Sequence, residues 1–156
     1  MIVGLVLVVL TGLPTILHAA GLHPIYEGAA VALPGKRALI ITTSHSLLAK
    51  PGETEGPETG VMASEFTHPY YTFLDGGMSV DMASIQGGVI PIDPQTLSYP
   101  VASPEDKRYL NDSIAQTKVQ NSMAIAEVWN LDGQPERALS VLKDYADKHL
   151  SDWSGP

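Results

Sequence analysis

The stretch "GVMASEFTHPYYTFLDGGMSVDMASIQGG", residues 60–88, decides the fold class of this chain. Its first half repeats apolar residues at steps of three and four, which predicts a helix with one apolar stripe formed by Met62, Phe66, Tyr70 and Phe73. Thr59 is the expected N-cap and the glycine pair 76–77 the expected end. Pro69 should kink this helix or restart it, because proline cannot donate a backbone hydrogen bond.

Strands are predicted on both sides of the helix. Apolar and polar residues alternate over residues 78–84, which puts Met78, Val80 and Met82 on one face of a predicted strand. The β-branched run Ala38–Thr43 is typical of a buried strand. A strand, helix, strand order with tight turns predicts a βαβ unit, whose parallel sheet carries sites at the carboxyl ends of its strands. The Pro-, Gly- and Glu-rich segment 46–60 is an exposed loop.

The chain beyond this unit is predicted as an excursion followed by helices. Residues 85–110 hold several prolines, which favour turns and extended edges. Residues 103–120 form a predicted surface helix, with Ser103 as N-cap, Pro104 in its first position and Asp106 in the capping-box position. The segment "PERALSVLKDYADKHL", residues 135–150, has the spacing of an amphipathic helix.

The N-terminal run is almost wholly apolar from Ile2 to Ala20. Such a hydrophobic N-terminal helix predicts a signal peptide or membrane anchor over residues 1–20, with a linker over residues 21–35; a buried core helix is the alternative. His18 makes a poor cleavage site after Ala20, which favours an anchor that places the chain in the membrane through residues 2–20. We therefore expect a membrane-anchored or exported protein of the cell envelope.

Composition excludes several functions. The chain has 156 residues, which favours one domain, and its 9 basic and 17 acidic residues give a net charge of −8. An acidic surface repels phosphate backbones, so nucleic acid is not an expected partner. The chain has no cysteine, which excludes disulfides, thiolate metal sites and a cysteine nucleophile. No cofactor is expected.

Glu65 is the candidate site residue, with His45 and His68 as candidate supporting residues. Glu65 and His68 stand at i and i+3, the spacing of carboxylate-bridged metal sites, but the chain has no further glutamates at matching positions, so we predict no metal. His45 follows the first predicted strand and is flanked by Ser44 and Ser46. Neighbours on an extended strand point in opposite directions, which argues against a serine and histidine pair there.

Three segments together resemble a known family: "KRALIITTSH" at 36–45, the stretch at 60–88, and "PIDPQTLSYP" at 91–100. They are similar to the N-terminal half of the ThiJ/PfpI superfamily, the class I glutamine amidotransferase-like proteins. The similarity is greatest to the chaperone and glyoxalase-like branch, which includes members with an N-terminal membrane segment, and covers Lys36–Val128. It implies a flavodoxin-like α/β parallel-sheet sandwich that is usually dimeric. It also implies a cysteine on a strand-to-helix elbow, beside a glutamate that matches Glu65.

The chain departs from this family after Val128. The family continues into a Gly-Gly-x-Gly turn and the cysteine elbow, whereas residues 129–156 contain neither. We therefore expect a truncated domain over residues 36–128, catalytically inactive alone, with a divergent helical tail that arose by frameshift or fusion or is genuine. The alternatives are an interaction module for a second copy or a protein partner, built from this partial domain and the C-terminal helix, and a glyoxalase or hydrolase using Glu65 with His45 or His68.

Overall fold

The computed structural model describes residues 2–22, 31–50, 52–125, 127–128, 133, 136 and 140, and of residues 2–10 the backbone alone. Most of the divergent tail, including nearly all of the amphipathic helix expected at 135–150, lies outside the described residues. The described part is an α/β unit, as the sequence predicts.

A parallel sheet forms the centre of the described part. Its three strands are β1 (Arg37–Thr42), β2 (Ser79–Ser84) and β3 (Met123–Ala124), in the order β1-β2-β3. β1 and β2 pair in parallel along their whole length, from Arg37 opposite Ser79 to Thr42 opposite Ser84. Since a helix connects these two strands, the predicted βαβ unit is confirmed.

The N-terminal run forms helix α1, Ile2–Ala19, which contains Pro14 and has His18 in its last turn. Among the residues that the structure describes, no helix is both long and apolar enough to cross a membrane. The structure therefore does not support the predicted membrane anchor. After this region, the N–H of Leu33 donates to the carbonyl of Gly76, which joins the end of the expected linker to the turn before β2.

Helix α2, Ala63–Asp75, connects β1 to β2 and continues through Pro69. Its N-cap is Met62, which provides no side-chain hydrogen bond, so the prediction of Thr59 was wrong. The hydroxyl of Thr96 instead accepts from the first helical N–H, that of Ala63, at 3.0 Å. An oxygen supplied from elsewhere in the chain thus satisfies one of the donors that every helix start leaves open. The helix ends at the predicted glycine pair, where Gly77 has φ +85°.

Residues 85–122 return the chain from β2 to β3 over the same face of the sheet as α2. They contain a 3₁₀ helix (Pro94–Leu97), α3 (Pro104–Tyr109) and α4 (Ser113–Gln120). The capping box of Ser103 and Asp106 is confirmed. The single helix expected over residues 103–120 was wrong, because the carboxylate of Asp112 accepts from the N–H groups of Ile114 and Ala115 and starts a new helix.

The core lies between one face of the sheet and these helices. Val80 and Met82 of β2 are buried there, as predicted, against aromatic side chains of α2. The buried stripe of α2 is wider than expected: Tyr71 is 2% exposed, whereas Phe73 is 36% exposed. Tyr71 is buried because α2 packs against α3 as well as against the sheet. α4 adds Ala115 and Val119 to the core, so it is more than a surface helix.

Candidate functional site

The candidate site lies where α2 begins, beyond the carboxyl end of β1. The segment before the helix is held by backbone pairing: the N–H of Val61 donates to the carbonyl of Pro91, and its carbonyl accepts from Asp93. The hydroxyl of Thr96 both caps Ala63 and donates to the carbonyl of Asp93. The first turn of α2 is therefore fixed by the 3₁₀ helix and the residues just before it.

Glu65 occupies that first turn, and its side chain is exposed. A carboxylate at this position is favoured by the partial positive charge of the helix N-terminus. Pro69 stands four residues later and has no N–H, so the carbonyl of Glu65 lacks its usual helical donor. The Glu65 carboxylate is therefore an exposed hydrogen-bond acceptor in the first turn of α2.

The two candidate histidines are placed differently from each other. His45 is exposed in the loop after β1, where its backbone N–H donates to the hydroxyl of Thr43 at 2.9 Å. His68 is partly buried, and its Nε2 lies 3.3 Å from Oε2 of Glu105. The imidazole of His68 is thus directed toward α3, and this contact joins two helices. The geometry favours a structural role for His68 over a role beside Glu65.

A serine cluster, Ser44, Ser84 and Ser122, joins the loops at the carboxyl end of the sheet and was missed in the sequence. The hydroxyls of Ser84 and Ser122 lie 3.1 Å apart, and that of Ser84 also accepts from the N–H of Gly87. The hydroxyl of Ser44 accepts from the N–H of Gln86 at 3.0 Å. These hydroxyls bind backbone groups and each other, so they order the loops and are not arranged as an activated nucleophile.

Polar contacts join α2 to α3. The hydroxyl of Thr67 donates to the buried carboxylate of Asp106 at 2.6 Å. On the outer side of the same interface, Arg108 forms a bidentate pair with Asp75, with N–O distances of 2.8 and 2.9 Å. The hydrogen bonds from Arg108 hold the pKa of Asp75 below its usual value.

Tyr71 completes this interface. The guanidinium of Arg108 lies 4.0 Å from the centre of the Tyr71 ring. The Tyr71 hydroxyl donates to Asp112 at 3.1 Å. Burial, together with the nearby charge of Asp112, raises the pKa of Tyr71. The phenol therefore stays neutral and acts as a donor.

A cleft of about 200 Å³ opens on this network, lined by Tyr71, Thr72, Asp75, Pro104, Glu105 and Arg108. Arg108, the cation that lines the cleft, is already paired with Asp75. Glu65 is not among the lining residues. The cleft is therefore a feature of helix packing, separate from the candidate site. Within the described ranges, no group of three or more histidine, aspartate or glutamate side chains is placed to hold a metal ion.

Comparisons with known proteins find matches among solved structures. No protein-family model matches the chain, and no curated protein matches it. The Rapid Encystment Protein 24 KDa of Francisella tularensis is 34% identical over 57% of this chain and 37% of its own, with a TM-score of 0.48. Glyoxalase III of Candida albicans is 23% identical over 59% of this chain and 37% of its own, with a TM-score of 0.46. The chain thus spans little more than a third of the length of either protein.

Proposed function

We propose that residues 36–128 form the amino-terminal part of a ThiJ/PfpI-like domain with a flavodoxin-like arrangement, and that this chain alone has no cysteine-dependent activity. The observation that carries the proposal is that Glu65 lies exposed at the start of α2, beside the carboxyl end of a parallel βαβ unit, in a chain without cysteine. Glu65 is then one half of a site whose nucleophile is missing.

The chemistry explains why the missing half is decisive. In the family that the sequence resembles, a glutamate beside a thiol shares its proton and adjusts the thiolate, which is the attacking group. A carboxylate without that thiol retains charge and hydrogen-bonding capacity but cannot form the covalent intermediate. The serine cluster does not replace the thiol, because its hydroxyls are engaged with backbone groups and with each other.

The test is turnover of methylglyoxal and of a peptide substrate by the purified chain. We expect both rates to equal the uncatalysed rates, and we expect Glu65→Gln to change neither. Glu55→Gln is the matched control, because Glu55 is an exposed loop glutamate and the substitution removes the same charge.

A measurable rate that disappears in Glu65→Gln and persists in Glu55→Gln would contradict the proposal. It would favour an enzyme that uses Glu65 with another group. The same variants made with His45→Gln and His68→Gln would then show which imidazole takes part. His68→Gln also needs a stability measurement, since His68 contacts Glu105 across the α2–α3 interface.

A further inference from the structure

Strand β1 lies at one edge of the sheet, since the strand order is β1-β2-β3. Among the residues that the structure describes, β1 pairs with β2 alone. The N–H of Ser79 donates to the carbonyl of Lys36, so the backbone groups of Lys36 point toward β2. Backbone groups alternate in direction along a strand, as side chains do. Those of Arg37, Leu39 and Ile41 therefore point away from β2, and we call them the free edge of β1.

The described chain on either side of β1 turns toward β2 and away from this edge. Before β1, the N–H of Leu33 donates to the carbonyl of Gly76, which precedes β2. After β1, the hydroxyl of Ser44 accepts from the N–H of Gln86, which follows β2. Both flanking segments are thus held on the β2 side, so neither of them occupies the free edge.

The free edge lacks most of the features that keep edge strands from pairing. Such strands are usually very short, or carry proline, a bulge or several charged side chains. β1 has six residues, of which only Arg37 is charged, and its pairing with β2 runs without a bulge. Leu39 and Ile41 are 38% and 51% exposed. The opposite edge strand, β3, has only two residues, so an added strand would pair with β1.

A second copy of β1 has the pattern to pair with this edge. When a two-fold axis relates two antiparallel strands, residues on the same face of the sheet must lie opposite each other, so that core-facing side chains stay together. Ala38 and Ile40 pack against the core, and placing Ile40 opposite its own copy meets this condition. Leu39 then lies opposite Ile41 of the second copy, and their outward N–H and carbonyl groups bond each other.

Charge and symmetry agree with the same register. Arg37 lies opposite Thr43 of the second copy, so no like charges are opposed, and Arg37 is already paired with Asp81 at 3.2 Å. Each copy has one free β1 edge and the contact uses both, so the assembly closes as a dimer that doubles the three-stranded sheet. We propose that two copies of this chain pair in antiparallel fashion through the free edges of β1, centred on Ile40.

Sedimentation velocity of the full chain tests the dimer. We expect a species of twice the chain mass at micromolar concentration. Ile41→Lys should raise its dissociation constant about tenfold or more, because lysine on an edge strand opposes pairing. Ile114→Lys is the matched control, since Ile114 is 67% exposed on α4 and the same substitution there should leave the constant unchanged. A parent chain that stays monomeric at every concentration, or equal constants for the two variants, would overturn the proposal.

A disulfide tests the register, because the chain has no native cysteine. The backbone groups of Ile40 point toward β2, so in the dimer the Cα atoms of the two Ile40 residues would be about 4.5 Å apart, which a disulfide can span. Those of the two Leu39 residues would be diagonal neighbours about 7–8 Å apart, which is too far. On oxidation we therefore expect a covalent dimer from Ile40→Cys and much less from Leu39→Cys.

Two results of the oxidation experiment would contradict the register. One is an equal yield from Leu39→Cys and Ile40→Cys. The other is oxidised Ile40→Cys that stays monomeric while circular dichroism shows a folded protein, which would leave the free edge to another part of the same chain or to nothing. If Ile40→Cys unfolds the chain, the sedimentation result with Ile41→Lys decides.

Discussion

Replacing Asp106 with alanine tests the polar contact that joins α2 to α3. The carboxylate is 1% exposed and accepts two hydrogen bonds, from the Thr67 hydroxyl at 2.6 Å and from the Ser103 N–H at 2.8 Å. Thr67 and Ser103 are 0% and 2% exposed, so both donors are shielded from bulk water. Alanine would leave two buried donors unsatisfied.

The expected cost follows from those two donors. An unsatisfied buried donor costs about 1–3 kcal/mol, so the substitution should lower the free energy of unfolding by about 4 kcal/mol. That is a large share of the roughly 5–15 kcal/mol that stabilises a typical domain. Asp75→Ala provides the comparison, because it removes a carboxylate from an exposed pair with Arg108 and should cost about 1 kcal/mol or less.

Urea unfolding followed by circular dichroism measures both values. A double-mutant cycle with Thr67→Val should give a coupling of about 1–3 kcal/mol between Thr67 and Asp106, since the two side chains are in contact. If Asp106→Ala costs no more than Asp75→Ala, or if the coupling is zero, the buried carboxylate does not hold α2 to α3 and the reasoning fails.

Three further predictions concern single contacts. Gly87→Ala should destabilise by about 2 kcal/mol in urea unfolding, because Gly87 has φ +74° and an added Cβ would lie 2.8 Å from the nitrogen of Ala124; an unchanged midpoint would contradict this. Thr96→Val should cost about 1 kcal/mol by leaving the Ala63 N–H without its cap, and a thermal melt equal to that of the parent protein would exclude that role. Burial would raise the pKa of Asp81, but hydrogen bonds from Lys118 and Arg37 outweigh the effect of burial and hold this pKa below its usual value. The contribution of Asp81 to stability is therefore present above the unfolded pKa and lost as pH falls through the lower folded pKa. In urea unfolding at a series of pH values, Asp81→Asn should lose less stability below about pH 4 than the parent protein does. An equally steep loss of stability in both proteins would contradict this prediction.

The parts of the fold that the sequence predicted depend on local signals. The alternation that buries Val80 and Met82 has a period of two within a single strand. The capping box of Ser103 and Asp106 uses residues three apart, and both hydrogen bonds are present. Glycines after α2 end the helix where the pattern stops. Each of these features needs only the residues beside it, which is why the local sequence predicts it.

The parts that were missed depend on contacts between distant segments. Thr96 caps a helix that begins 33 residues earlier, so no spacing rule points to it. Tyr71 is buried because α3 packs beside α2, and helical periodicity does not show how many neighbours a helix has. The break between α3 and α4 is different. Aspartate is a common N-cap residue, so Asp112 is a local signal for a new helix inside the segment that was predicted as one helix.

The candidate site combines both kinds of signal. The local helix pattern predicts that Glu65 lies on this helix, but the expected start at Thr59 would have put it in the second turn. The structure begins α2 at Ala63, so Glu65 lies in the first turn. Under the proposed function, the nucleophile beside Glu65 is missing because the chain has no cysteine. Stability and activity can therefore be tested separately. Urea unfolding of Asp106→Ala reports the stability of the α2–α3 contact, and a turnover assay of the purified chain beside Glu65→Gln reports activity.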